Sequence, residues 1–236
     1  MIKMKAITAL MLLSVMLGVS CLSCSRFSNK INSLFRNKFY NSIALVQSTP
    51  GRNGHGGGTA TAFAIDNKYL LTAGHFCEKI DSLKKIQMVG DKILVVRSDK
   101  RGMPRTPIIA TMVAYDKSKD VCVLSVKGHG MQPLFLADSI ALLTTEDEVT
   151  VIGAPRGFFP VRRDGRIISS LAYRFQQFND MLFIAVNIEV GNSGSPVIKD
   201  GEVVGMIVIL PHHIHETALA VPIDEIRKFL NRTIYK

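Results

Sequence analysis

Charge is sparse in this sequence. Asp, Glu, Lys and Arg make up 20% of its 236 residues, against 47% hydrophobic residues. That leaves enough apolar surface to offset chain entropy and argues against global disorder. Acids are the scarcer sign: 19 Asp and Glu face 29 Lys and Arg, for a formal net charge of +10. A basic balance suits acidic membrane surfaces, nucleic acid or acidic substrates. Yet no aromatic-rich stretch accompanies the small basic groups at Arg36/Lys38, Lys100/Arg101/Arg105 and Arg162/Arg163/Arg166. They read as a solvated surface, and nucleic acid is not expected as a partner. No internal repeat is evident, which leaves room for one sizeable domain or two small ones.

Long apolar runs are missing too, with one exception. Residues 6–19 follow Lys3 and Lys5, the charged-then-apolar order of an export signal, and the run is short for a membrane span. Gly18, Val19 and Ser20 ahead of Cys21 resemble a bacterial lipoprotein cleavage site. Cys21 would then carry lipid and anchor the chain to a membrane; plain secretion and a retained anchor are the alternatives. The expected organisation is an export signal over 1–20, a basic tether over 21–38 and one domain over 39–236. The expected location is the periplasm or cell envelope, with secretion as second choice. Cysteine is rare as well. Of four in all, Cys21 and Cys24 belong to the export region and Cys77 and Cys122 to the domain. In an oxidising compartment these two can form a disulfide, the other reading being two buried thiols.

From residue 39 onward, short β-rich runs alternate with turn signals. The runs cover 42–47, 58–65, 69–72, 93–97, 108–114, 121–126, 148–152, 181–187, 196–198, 202–210 and 217–222. Pro50-Gly51, Asp66-Asn67, Lys127-Gly128, Asp164-Gly165 and Asp200-Gly201 fall between them. Many short strands at this spacing predict an all-β sandwich or barrel. Helical periodicity is read only at the C-terminus, where Ile223, Ile226, Phe229, Leu230 and Ile234 share one face. Asp224 and Glu225 precede Arg227, Lys228 and Arg232 there, an order that complements the helix dipole.

The chemistry centres on residues 191–197, GNSGSPV. Two glycines bracket Ser193, so a tight turn could lift its hydroxyl out of the core and aim consecutive N–H groups at one point, a nucleophile beside an oxyanion hole. An ordinary turn between strands is the alternative. His75 ends the run TAGH after an apolar strand, and a lone histidine there is as well explained by packing. Asp120 opens the strand DVCVL, where it could be a turn residue, and Asp116 competes with it. The order His, Asp, Ser, with strands around each, is far more specific than any one of them.

These residues resemble the trypsin-like serine proteases of the chymotrypsin fold, and within them the bacterial HtrA-like proteases and the glutamyl endopeptidases. The likeness covers about 42–230: GGTATAF before the histidine motif LTAGH, DKSKDVCVL as the acid-bearing strand, VIGAPRG as the turn of the second barrel, GNSGSPV, and ALAVPI before the last helix. It implies an all-β, chymotrypsin-like double β-barrel with a C-terminal α-helix, acting as a serine endopeptidase on peptide or unfolded protein. In the implied mechanism Ser193 attacks the scissile carbonyl, His75 takes and returns the proton, and Asp120 holds the imidazole. The N–H groups of Gly191 and Ser193 form the oxyanion hole. No metal or cofactor is required. Asn192 stands where digestive relatives carry the aspartate that pairs with a new N-terminus, so activation by that route is not expected. Ser195, in place of the usual glycine, is shared with glutamyl endopeptidases and is not read as the nucleophile. No PDZ module is expected after the terminal helix.

The same likeness places Asn187, Ile207, Val208 and Ala220 at the substrate pocket. Ile207 occupies the place of the glutamyl endopeptidases' histidine, so apolar walls taking a small or aliphatic residue are expected. His213, His215 and Glu216 invite a zinc hypothesis, but no fourth ligand is evident and a polar loop is the preferred reading. A catalytically silent, protease-like adaptor at the cell envelope is the alternative function.

Overall fold

Alternation of small and large apolar residues sets the first half of the domain. In the computed structural model, which describes residues 39–50, 58–85, 89–99, 103–175, 178–209 and 216–236, strands β1 (Ile43–Pro50), β2 (Thr59–Ala64), β3 (Tyr69–Ala73), β4 (Val89–Arg97), β5 (Ile108–Asp116) and β6 (Val121–Ser125) close into an antiparallel barrel of order β1-β2-β3-β6-β5-β4. Ala60, Ala62 and Ala64 of β2 point into its core beside Val46, Leu70 and Leu124. The intervening Thr61 and Phe63 are also fully buried, Thr61 against residues 191–193 of the second barrel. On β5, by contrast, Ile109, Thr111 and Val113 are exposed while Ala110 is buried, the one-sided burial of an outer antiparallel strand.

The second barrel uses β8 (Glu148–Gly153), β9 (Val161–Phe175), β10 (Phe178–Ala185), β11 (Pro196–Lys199), β12 (Glu202–Ile209) and β13 (Thr217–Pro222). Its order is β11-β8-β9-β10-β13-β12, closed by β11–β12 pairing, and the two-residue β7 (Phe135–Leu136) adds in parallel to β12. Two six-stranded antiparallel barrels and a C-terminal helix make this the chymotrypsin-like fold that the motifs implied. Phe39–Lys236 forms one compact unit. No helix among the described residues is long and apolar enough to cross a membrane.

Three expectations need correction. A helix, α1 (Gly74–Lys85), follows β3 directly, although helical periodicity is legible only at the C-terminus. Its buried face is Phe76, Cys77 and Ile80, too few apolar positions to stand out beside a histidine motif. No strand is expected over 161–175, yet β9 runs the whole way. Its first half carries exposed Arg162, Arg163, Asp164 and Arg166, which read as loop. Nor do Asp164 and Gly165 form a turn: they lie inside β9, paired with Thr150 and Val149. Gly165 is there because a side chain would strike the Ala185 carbonyl at the end of β10 and the Val186 side chain just beyond it.

The terminal helix α2 (Ile223–Thr233) buries Ile223, Ile226, Phe229 and Leu230 and carries Asp224 and Glu225 in its first turn. Arg227 ties it to the start of the second barrel, donating from Nε to the Ala137 carbonyl at 2.7 Å and from Nη2 to that of Leu136 at 2.9 Å.

Cys77 of α1 and Cys122 of β6 are joined by a disulfide. Its sequence separation of 45 corresponds to about 4 kcal/mol of stabilisation in the chain-entropy account. The Cys77→Ala/Cys122→Ala double variant is accordingly expected to lose stability on that order, read from the shift in urea midpoint.

His129 is completely buried. Its Nδ1 accepts the Met131 N–H at 3.0 Å, so the proton resides on Nε2, which donates to the Asp66 carbonyl at 3.0 Å. Burial pushes its pKa down, and the nearby Arg97 guanidinium adds to that effect, against the pull of the Asp66 carbonyl. A pKa lower in the folded than in the unfolded chain means that the unfolded chain takes up the proton first. The stability tied to neutral His129 is thus complete above about pH 6.5 and drains away as pH falls below it. Urea midpoints measured from pH 8 to 5 should fall in the wild type more than in a His129→Gln variant.

Candidate active site

The turn that carries Ser193 is fastened to the first barrel by one buried threonine. Thr61 donates its N–H to the Ser193 carbonyl at 2.8 Å and its hydroxyl to the Gly191 carbonyl at 2.8 Å. The same hydroxyl accepts the Ala154 N–H at 2.9 Å, and the Thr61 carbonyl accepts the Thr72 hydroxyl at 2.7 Å. Both threonines are fully buried, so these bonds run in a buried junction where an unmade one would be costly. Thr72 lies on β3, three residues before His75. The serine turn is thereby set against the strand end from which the histidine emerges.

His75 is the second residue of α1 with its side chain 48% exposed, and Asp120 faces it at 3% exposure. The imidazole Nδ1 stands 2.9 Å from Asp120 Oδ2 and 3.1 Å from Oδ1. Oδ1 also accepts the His75 backbone N–H at 2.6 Å. With the Nδ1 proton engaged by the carboxylate, Nε2 of the neutral ring is left as the basic nitrogen. The close approach of the two segments explains Gly74, where a Cβ would sit 2.7 Å from Val121 N and 2.8 Å from the Asp120 carbonyl carbon. Asp116, the competing acid, is turned elsewhere: its Oδ1 accepts from Ser118 N, Ser118 Oγ and Lys119 N.

Within the turn itself, Gly191 has φ 101° and Gly194 φ 88°, a region that disfavours side chains. The Val190 carbonyl accepts the Arg156 N–H at 2.7 Å. In a planar trans peptide the next N–H points the opposite way, so this bond directs the Gly191 N–H away from Arg156. Arg156 Nε also pairs with Glu189 Oε2. Asn192 is buried and caps the turn, donating from its backbone N and from Nδ2 to the Glu189 carbonyl at 3.1 and 3.0 Å. Its Oδ1 accepts the Ser195 hydroxyl at 3.4 Å. Both side chains crowd Gly153, which has no room for a Cβ.

Of the residues expected at the pocket, Ile207 flanks the serine turn directly, accepting from Gly194 N at 2.7 Å and donating to the Ser195 carbonyl at 2.8 Å. It pairs with Ala220 on β13. Both are buried, as is Val208, which sits at a register irregularity between Ile207 and Ile209, while Asn187 is exposed. Among the described residues, no group of three or more metal-ligating side chains converges. His213 and His215 lie outside the described residues, as do the export segment and Cys21. Thr61, Thr72 and Arg156 lie inside the quoted motifs, but their part in bracing the serine turn, like that of Glu189, is not read from the sequence. The only sequence signal is a polar residue recurring inside two otherwise apolar strands.

A double barrel with a histidine–carboxylate pair at one strand end and a serine turn locked beside it defines the class of trypsin-like peptidases. The trypsin-like peptidase domain family matches residues 60–206, more than half of the chain, and the chain belongs to that family. It is 26% identical over 181 residues to putative protease Do-like 3, mitochondrial, of Arabidopsis thaliana, a match that covers 73% of this chain and 29% of that protein. It is 30% identical over 131 residues to serine protease HTRA1 of Xenopus laevis, covering 51% of this chain and 27% of that one. The chain therefore spans less than a third of the length of these relatives. Among solved structures, the active form of the Rv3671c protease from M. tuberculosis has a TM-score of 0.69 at 22% identity, covering 86% of this chain and 84% of that one. Deg5 has a TM-score of 0.69 at 18% identity, covering 89% and 96%. At these identities the two structures speak for the shared fold.

Proposed function

We propose that this chain is a serine endopeptidase in which Ser193 is the nucleophile, His75 the general base and acid, and Asp120 the carboxylate that orients it. The observation that carries this reading is the pairing of half-exposed His75 with buried Asp120 at the strand end to which the Ser193 turn is fastened. Nε2 of His75 takes the Ser193 proton as Oγ attacks the scissile carbonyl, because a serine hydroxyl is a weak nucleophile without an adjacent base. Asp120 stabilises the imidazolium without itself taking the proton. The Gly191 and Ser193 N–H groups receive the oxyanion. The bond from Arg156 N to the Val190 carbonyl supports that role by orienting the 190–191 peptide. His75 then protonates the leaving amine, and water repeats the steps to release the acyl group. Asn192 anchors the turn with a neutral amide, in keeping with an enzyme that needs no freshly cut N-terminus.

Apolar Ile207 and Ala220 beside the turn favour a small or aliphatic residue at the cleavage site, and peptide-library profiling that returned only Arg/Lys or Glu would remove this part of the reading. We place the enzyme in the cell envelope, acting on unfolded protein and held through Cys21. The function is tested by incubating the mature protein with a fluorophosphonate. A covalent adduct on the peptide carrying Ser193, located on that residue and not on Ser195, is expected. Correctly folded protein that acquires no adduct would sink the proposal.

A further inference from the structure

Asp120 is held at φ 53°, a backbone conformation that a non-glycine residue keeps only where its surroundings over-determine it. The turn that leads into it, between β5 and β6, is folded on itself by Asp116 Oδ1, and its side chains then reach out to both helices. Lys117 Nζ lies 2.6 Å from Glu78 Oε1 on α1, three residues beyond His75. Lys119 Nζ lies 2.6 Å from Glu225 Oε2 on α2, and Arg232 of α2 stands 3.6 Å from Asp116 Oδ2. An exposed ion pair would contribute little, but Glu225 is only 12% exposed and Lys119 28%. The second oxygen of Glu225 is taken by Lys228 Nζ at 2.7 Å. Burial opposes ionisation of Glu225, and the bonds from the two lysines outweigh it and hold the carboxyl below its usual range.

We propose that α2 positions the catalytic acid: the Lys119–Glu225 bridge, seconded by Arg232–Asp116, holds the turn so that the Asp120 carboxylate meets both the backbone N–H and the ring of His75. This rests on the peptidase reading given above. Lys119 is the residue immediately before Asp120, so a shift at Lys119 is passed on through a single peptide unit. Hydrogen bonds fade beyond about 3.5 Å, and the longer ring contact, at 3.1 Å, has only a few tenths of an ångström in hand. Lys119 and Glu225 are positioning residues in this account, since neither touches the reacting atoms.

Glu225→Gln keeps the shape and removes the charge. In the full mature chain it is expected to slow fluorophosphonate labelling and kcat roughly 10-fold with KM unchanged, a small part of the ~10⁴-fold loss that follows when the acid itself is replaced. Lys119→Met should do the same, the double variant should be no worse than either single one, and Lys119→Arg should recover the rate. Labelling of Glu225→Gln at the wild-type rate, or losses that simply add, would overturn the proposal. The His75–Asp120 bond is also read directly, from the deshielded Nδ1 proton of His75 by NMR. Broadening or loss of that signal in Glu225→Gln supports the proposal, and an unchanged signal overturns it whether or not the wild type labels. A wild type that fails to label counts against the peptidase reading instead.

Discussion

Replacing Ser193 with alanine is expected to lower kcat by about 10⁶-fold while leaving about 10³-fold acceleration over the uncatalysed reaction. The size of the loss follows from the division of labour proposed for the site. Without Oγ there is no acyl-enzyme, and His75 has no hydroxyl from which to take a proton. The proposed oxyanion donors should survive, since the turn is held by the backbone and side-chain bonds of Thr61, Asn192 and Arg156, none of which involves Ser193 Oγ. The fold should therefore be unchanged, with native melting behaviour. Ser195→Ala makes the contrast. Its hydroxyl is buried and directed at Asn192, so its removal should retain covalent labelling and cost only the bond to Asn192. Steady-state hydrolysis of an unfolded protein substrate, measured for both variants beside the wild type, checks the pair. Equal losses in the two would mean that the nucleophile has been misassigned.

The second large effect is expected from Gly194→Ala, and here it is the fold that gives way. A Cβ at this position would collide with the Thr61 carbonyl, fall 2.7 Å from Thr72 Oγ1 and 3.0 Å from Ala73 N, and require φ 88° of a residue with a side chain. None of these neighbours can yield separately, because the Thr61 carbonyl and the Thr72 hydroxyl are bonded to each other. Loss of about 4 kcal/mol or more is expected, at the upper end for single substitutions. Gly201→Ala isolates the backbone part of this cost. Gly201 has φ 92°, and a Cβ added there would meet nothing within 4 Å, so about 1 kcal/mol should be lost. Urea denaturation of the two variants distinguishes crowding from strain: similar losses would show that the packing against Thr61 and Thr72 is softer than described.

How far the sequence is legible depends on the range of the interaction that sets each feature. β3, β6 and β13 are apolar runs bounded by turn residues, and His75, Asp120 and Ser193 sit in local motifs, so short stretches suffice to find them. α1 and β9 fail for a shared reason. The helix has only Phe76, Cys77 and Ile80 to mark its buried face, and the strand opens with arginines that pair across a solvent-facing surface, Arg162 with Asp164 and Arg166 with Glu146. Here the tertiary partner decides what local pattern cannot. Thr61 shows the same limit within the site: a threonine in an apolar strand is compatible with many roles, and what singles it out lies 130 residues away at Gly191. The Lys119–Glu225 bridge, whose partners are also remote in the chain, gives no local signal at all.

Thr61 also has a consequence for how the molecule can come apart. The Ser193 turn belongs to the second barrel, yet the threonine that braces two of its carbonyls belongs to the first, so bonds of the seam between barrels also help to set the turn. Barrel separation and loss of activity should then coincide in a single transition, and a partly opened molecule would be silent before it was unfolded. In a peptidase built this way, a loosened domain is not expected to cut.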